Sequence, residues 1–295
     1  MSLFTGAGVA LVTPFYSDKS VNYEELTRLL EFQIKNDTDA IIICGTTGEP
    51  VTMTEEERLS VISHTVQVVN GRIPVIAGSG GNCTENVVTF SRKCQDVGVD
   101  GLLVVTPYYN KATQNGLYAH YKSVAEAVDV PIILYNVPSR TGLNLLPETA
   151  VRLGKAYENI VAVKEASGNL SQVADYIHQA EGCLEVYSGN DDQILPILSL
   201  GGVGVISVLS NILPKETHEM VVSYQNGDYQ RAVELQLRYL DVIHALFCEV
   251  NPIPVKKALE FMGFDTKELR MPLTEMEEKN ALRLKNAMQA VGFNC

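Results

Sequence analysis

The sequence lacks any unbroken run of 18 apolar residues, any C-x-x-C pair and any basic lead before an apolar N-terminal core. A bilayer-spanning helix needs about 20 apolar residues, so no membrane span is expected. The six cysteines, at 44, 83, 94, 183, 248 and 295, are widely scattered. That pattern suggests reduced thiols in a cytoplasmic protein, not a disulfide framework or a zinc site. The opening "MSLFTGAGVALVTPF" has no convincing cleavage site and reads as a first strand. Without a secretory signal the Asn-x-Ser/Thr triplets at Asn36, Asn82 and Asn169 carry little weight. Positive charge is also scarce. A formal net charge of −12 argues against a nucleic-acid partner, and an anionic ligand would have to be drawn in by a few local groups.

Several catalytic signatures are missing as well. There is no G-x-x-x-x-G-K-[ST], and no G-x-G-x-x-G follows a strand; "GSGG" at 78–81 is too short and has no lysine. The five histidines (64, 120, 178, 218, 244) are dispersed, without H-E-x-x-H spacing, so neither a metal nor a Ser–His–Asp triad is expected.

What the chain does have is rhythm. Eight β-branched apolar runs begin with "GVALVTPF" (8–15), "DAIIICGTTGE" (39–49), "IPVIAGSGG" (73–81) and "GLLVVTPYYN" (101–110). They continue with "PIILYNVPSRTG" (131–142), "IVAVKEASG" (160–168), "LEVYSGND" (184–191) and "GVGVISVLSN" (202–211). Between them, segments such as "TEEERLSVISHTVQVVN" (54–70) repeat apolar residues at helical spacing behind an acidic first turn. Strand then helix, eight times, implies parallel strands and crossovers. Eight units in so short a stretch favour a closed (β/α)8 TIM barrel over an open doubly wound sheet. Residues 1–225 are therefore read as the barrel, and 226–295 as a C-terminal extension of three helices.

In such barrels the chemistry gathers at the C-terminal strand ends. Here those ends are polar ("GTTGE", "TPYYN", "YNVPSRTG", "KEASG", "SGND") and the strand starts are bland. Lys164 ends an apolar run. Burial would lower its pKa and leave a neutral amine able to attack a carbonyl carbon, unless a carboxylate such as Glu165 neutralises it. Tyr135, on the adjacent strand, could pass a proton, or could be an aromatic plug. Tyr108 and Tyr109 should point to opposite sides. Thr46 and Thr47 could cap a helix, or form a proton relay and a carboxylate cradle. Arg140 could grip a carboxylate through two parallel hydrogen bonds, or lie in a solvated turn. Gly189, and the stretch Gly204 to Ser207, could bring backbone against a small ligand or only permit tight turns.

Taken together and in order, "GTTGE", "TPYYN", "YNVPSRTG", "VKEASG", "SGND" and "GVISV", with "NPIPVK" at 251–256, resemble the dihydrodipicolinate (4-hydroxy-tetrahydrodipicolinate) synthases. These are class I aldolase-like enzymes of lysine and diaminopimelate biosynthesis. "GTTGE" alone marks the wider pyruvate-lyase superfamily; the arginine of "YNVPSRTG" is the selective element. The resemblance implies a Schiff base between Lys164 and pyruvate, and proton transfer by Tyr135 with Thr46 and Tyr109. Tyr109 would reach a neighbouring subunit's site across a dimer interface of a homotetramer. It further implies that Thr47 and Ile206 hold pyruvate, with Gly189 beside them, and that Arg140 binds the carboxylate of L-aspartate 4-semialdehyde. No metal or organic cofactor is implied, since the lysine is itself the electron sink. A sugar-acid lyase would share Lys164 and Tyr135 without needing Arg140, and a silent barrel sensing a small carboxylate would tolerate loss of the lysine. Lysine-inhibited relatives carry small and histidine residues after "GTTGE" and an acidic residue past the "GN" turn. Here those positions read Pro50, Val51, Glu55, Arg58 and Asn86, while Asn82 and Tyr108 persist, so weak or absent inhibition by lysine is expected.

Overall fold

A computed structural model describes residues 2–295. Eight parallel strands close into one barrel in sequence order. They are β1 (Gly6–Ala10), β2 (Ala40–Ile43), β3 (Val75–Gly78), β4 (Gly101–Val105), β5 (Ile132–Asn136), β6 (Ile160–Glu165), β7 (Glu185–Ser188) and β8 (Gly204–Ser207). Outside them run α1 (Tyr23–Lys35), α2 (Glu55–Val69), α3 (Thr84–Val97), α4 (Gln114–Ala125), the short α5 (Pro138–Thr141), α6 (Pro147–Ala156), α7 (Leu170–Ala180), α8 (Ile194–Leu200) and α9 (Pro214–Gln225). The eightfold rhythm is thus a (β/α)8 barrel.

Strands buried on both faces need no polar alternation, but the two faces still pack against different things. Ile42, Ile76, Leu103, Ile133, Ala162 and Ile206 form the inner core of the barrel. Their neighbours Ile41, Ile43, Val75, Leu134 and Val163 face the helices. Phe4 closes the bottom, stacked on Tyr187 with ring centroids 4.5 Å apart, and accepts that phenol's hydrogen on its carbonyl at 2.5 Å.

Helix α2 starts where the acidic turn places it. Thr54 accepts from the Glu57 N–H at 3.2 Å, and Glu57 accepts from the Thr54 N–H at 2.9 Å. That reciprocal pair satisfies two donors that the helix itself leaves free.

The strands are shorter than their apolar runs. Past Ala10 the chain leaves the sheet because Asn211 takes up its polar groups: its Oδ1 accepts from Val12 N at 3.2 Å and its Nδ2 donates to Ala10 O at 2.8 Å. The C-terminal segment holds four helices and not three: α10 (Tyr229–Arg238), α11 (Leu240–Leu246), α12 (Ile253–Phe261) and α13 (Glu278–Ala290). The helical run that follows Asp228 breaks at Tyr239, whose ψ of 5° leaves the α region. The break lets α10 lie on α9 while α11 turns to pack on α13.

Candidate active site

Alternation along β6 decides where its two charges go. Ala162 faces inward, so Lys164, two residues on, does too, while Val163 and Glu165 face the helices. Glu165 is consumed there: Asn136 and Gln172 side chains donate to its Oε2 at 2.9 and 3.2 Å, and the Ser167 N–H donates to Oε1 at 2.6 Å. The lysine is left without it. Among the described residues no carboxylate lies within ion-pair distance of Lys164, which is only 5% exposed. Burial pulls its pKa down to about 8, with the Asp191 carboxylate opposing the shift and the Arg140 charge adding to it. Asp191 Oδ2 accepts from the Val208 and Leu209 N–H groups at 3.1 and 2.9 Å, while its Oδ1 is buried without a hydrogen-bond partner among the described residues.

Tyr135 pairs in register with Lys164 across β5 and β6, and the ammonium sits 4.5 Å from its ring centroid. Burial raises the phenol's pKa, while the Arg140 charge and a hydrogen bond with Thr46 pull it back. The tyrosine is buried beside Thr46, and its hydroxyl is bound to no backbone group among the described residues. Thr46 and Thr47 form a single 3-10 turn after β2, and neither hydroxyl caps it. Arg140 stands on α5, just past β5, and donates from Nη2 to the Asn251 carbonyl at 3.3 Å.

These side chains meet. Lys164, Tyr135, Thr46, Thr47, Arg140 and Gly189 all line one cavity of about 180 Å³ at the C-terminal mouth of the barrel. At Gly189 the requirement is space: a Cβ would lie 2.6 Å from that of Ala166 and 3.1 Å from the Lys164 Cε, so the lysine stem passes where a side chain would stand. Gly204 answers to packing too, since a Cβ there would come within 2.2 Å of the Gly6 carbonyl on the neighbouring strand. Ile206 is fully buried on β8 in the inner core, and it is not among the residues lining the cavity. Tyr109 is not brought to the cavity by its own chain; it is 93% exposed with φ of 68°. Tyr108 lines a second cleft of about 260 Å³, which opens beside the first and shares Thr46, Tyr135 and Arg140 with it.

The sequence model described as the dihydrodipicolinate synthetase family matches residues 3–291. The chain belongs to that family. A 4-hydroxy-tetrahydrodipicolinate synthase of Lachnoclostridium phytofermentans is 56% identical over 293 residues, covering 99% of this chain and 100% of the relative. One from Caldicellulosiruptor bescii is 56% identical over 294 residues, covering 100% and 99%. The crystal structure of dihydrodipicolinate synthase from Thermotoga maritima superposes with a TM-score of 0.97 at 43% identity, covering 99% of each chain.

Beyond the quoted strand ends, the dihydrodipicolinate synthetase fold brings C-terminal residues into the site. Asn251 lines the cavity and donates from Nδ2 to Thr47 Oγ1 at 2.9 Å. Lys256, 1% exposed, donates to Glu49 Oε1 at 2.7 Å, Thr13 O at 2.9 Å and Glu268 O at 2.5 Å. The other oxygen of Glu49 accepts from Arg270 N at 3.1 Å. Glu49 ends "GTTGE" in the left-handed region, with φ of 56°, so the loop that carries both threonines is held from outside the barrel. The "NPIPVK" run was visible in the sequence, but nothing local in it points to the threonines. Among the described residues there is no cluster of His, Cys, Asp or Glu able to hold a metal ion. No helix there is long and apolar enough to cross a membrane.

Proposed function

We propose that this chain is a 4-hydroxy-tetrahydrodipicolinate synthase, a Schiff-base lyase of lysine and diaminopimelate biosynthesis that joins pyruvate to L-aspartate 4-semialdehyde. The observation that carries this reading is the buried, unpaired Lys164 amine over the Tyr135 ring, at the wall of a cavity of about 180 Å³.

The neutral amine attacks the keto carbon of pyruvate, and the carbinolamine expels water to give an iminium. Loss of a methyl proton makes an enamine, whose carbon attacks the aldehyde. The substrate's own amine then adds at the iminium carbon and closes the ring. That step frees Lys164, and the sum is one water lost for two substrates joined. Tyr135, hydrogen-bonded to Thr46, moves the protons in this scheme, and Tyr109 from a second subunit completes the relay. Thr47 takes the pyruvate carboxylate, with Gly189 and Ile206 shaping the wall, and Arg140 takes the carboxylate of the second substrate. Lys164 serves as the electron sink without a cofactor.

The unit is a cytoplasmic homotetramer in this reading. Residues 1–225 supply the catalytic barrel, and 226–295 brace it. The second cleft, lined by Pro50, Val51, Arg58 and Tyr108, does not take lysine in this reading. Arg58, whose guanidinium lies 3.9 Å from the Phe90 ring centroid, would repel an ammonium, and Asn86 offers no carboxylate to hold one.

Steady-state assays test these assignments. Arg140→Ala should raise the semialdehyde KM by about tenfold or more while pyruvate capture persists. Cleavage of a keto-deoxy sugar acid, with no turnover of the semialdehyde, would refute the assignment. Strong inhibition by low lysine would refute the reading of the second cleft.

A further inference from the structure

A threonine hydroxyl has one hydrogen to give and two lone pairs with which to accept. Thr47 Oγ1 accepts the Asn251 amide hydrogen at 2.9 Å, and its own hydrogen goes to no acceptor among the described residues. Thr47 is buried, so that hydrogen has little solvent to meet, and Thr47 and Asn251 both line the cavity. With one lone pair engaged by Asn251, the O–H is free to donate to a guest in the cavity. Asn251 Oδ1 is buried and finds no partner among the described residues, so Thr47 is the amide's one side-chain contact. The backbone of the same residue does a second job, because its carbonyl accepts from Arg140 Nη2 at 3.3 Å. One residue of the C-terminal segment therefore touches both groups that face incoming carboxylates.

The segment is fixed in place five residues further on. Lys256, the partner of Glu49, holds the chain after Asn251 against the loop that carries Thr47. Its backbone N–H donates to Pro252 O at 3.0 Å, which ties the anchor to the residue that follows Asn251.

We propose that Asn251 is a positioning residue for carboxylate capture: its side-chain amide fixes Thr47 as a hydrogen-bond donor to the keto acid, and its carbonyl holds Arg140 for the second substrate. This deepens the synthase reading and rests on it.

The test is the pyruvate concentration at which half the protein is trapped by borohydride, a single-substrate readout that needs no grip on a second carboxylate. In Asn251→Ala that midpoint should rise by about tenfold, as should the pyruvate KM, with kcat and the trapped fraction at saturation little changed. In a Thr47→Val background, where no hydroxyl remains to be oriented, the same substitution should shift the midpoint by less than about twofold. Asn251→Leu keeps the volume and removes the donor, and it takes the place of the alanine variant should that fail to fold. An unchanged midpoint in the single variant, or the same shift in both backgrounds, would overturn the inference while leaving the synthase reading intact. Wild-type protein that traps no pyruvate would sink both.

Discussion

For single residues, the proposed chemistry comes down to a proton on Lys164. Burial brings its pKa to about 8, and only the neutral amine attacks a carbonyl. The rate of pyruvate trapping should therefore climb about tenfold per pH unit on the acid side and level off once the amine is neutral. Stopped-time borohydride quenching between about pH 6 and 9 measures this, and a flat profile would contradict it. The same burial costs stability. A lysine whose folded pKa lies below its unfolded value of 10.5 is penalised in the fold at neutral pH. The penalty is fully present below the folded pKa, and it fades as pH rises from there to the unfolded value. Lys164→Met should thus abolish trapping yet raise stability at pH 7 by on the order of 1–3 kcal/mol, read by denaturant unfolding. A less stable variant would show that the lysine is paired in solution.

At the scale of elements, the loop after β2 is held by a buried ion pair with a far segment. Replacing one partner of such a pair leaves the other charged and unmet, which typically costs about 3–5 kcal/mol. Lys256→Met should lose stability of that order. A Lys256→Met/Glu49→Leu double variant should recover much of it, but without restoring the pyruvate KM, because the loop is then unanchored. Equal stabilities of the single and double variants would show that the pair is not what holds the loop. This contact also marks where sequence reasoning stopped. The inward face of β6 could be read from "IVAVKE" because alternation is local, and so could Tyr135 beside it and the polar strand ends. Asn251 meets Thr47 across 204 positions and Lys256 meets Glu49 across 207, and no periodicity links them. Strand ends were overrun for a related reason: side chains such as Asn211, from the other end of the barrel sequence, cap the backbone early. The break at Tyr239 falls inside an unbroken helical pattern, and only the packing of α10 and α11 on different partners decides it.

Across the whole molecule, the chain carries a net charge of −12, and in the proposed reaction it must admit two carboxylates. In that reading attraction comes from Arg140 and from donors at the strand ends, so substrate capture should be governed by the site and not by the protein's overall field. Tyr109 stands clear of its own chain's cavity with nearly all its surface exposed, which is where a residue lent to a second subunit would sit. Subunit exchange tests the loan. Tyr109→Phe and Lys164→Ala homomers should each be nearly inactive. Mixed and re-equilibrated, they should regain about one active site in four, because half the dimers are hybrids and one site in each hybrid has both groups. No recovery from a mixture shown to have exchanged would place Tyr109 outside the relay.

Mass mapping after borohydride reduction in the presence of pyruvate identifies the amine that forms the imine. A single stable adduct is expected on the peptide containing Lys164 and is absent from Lys164→Ala. An adduct on another lysine, such as Lys256, or one that survives the substitution, would contradict that expectation.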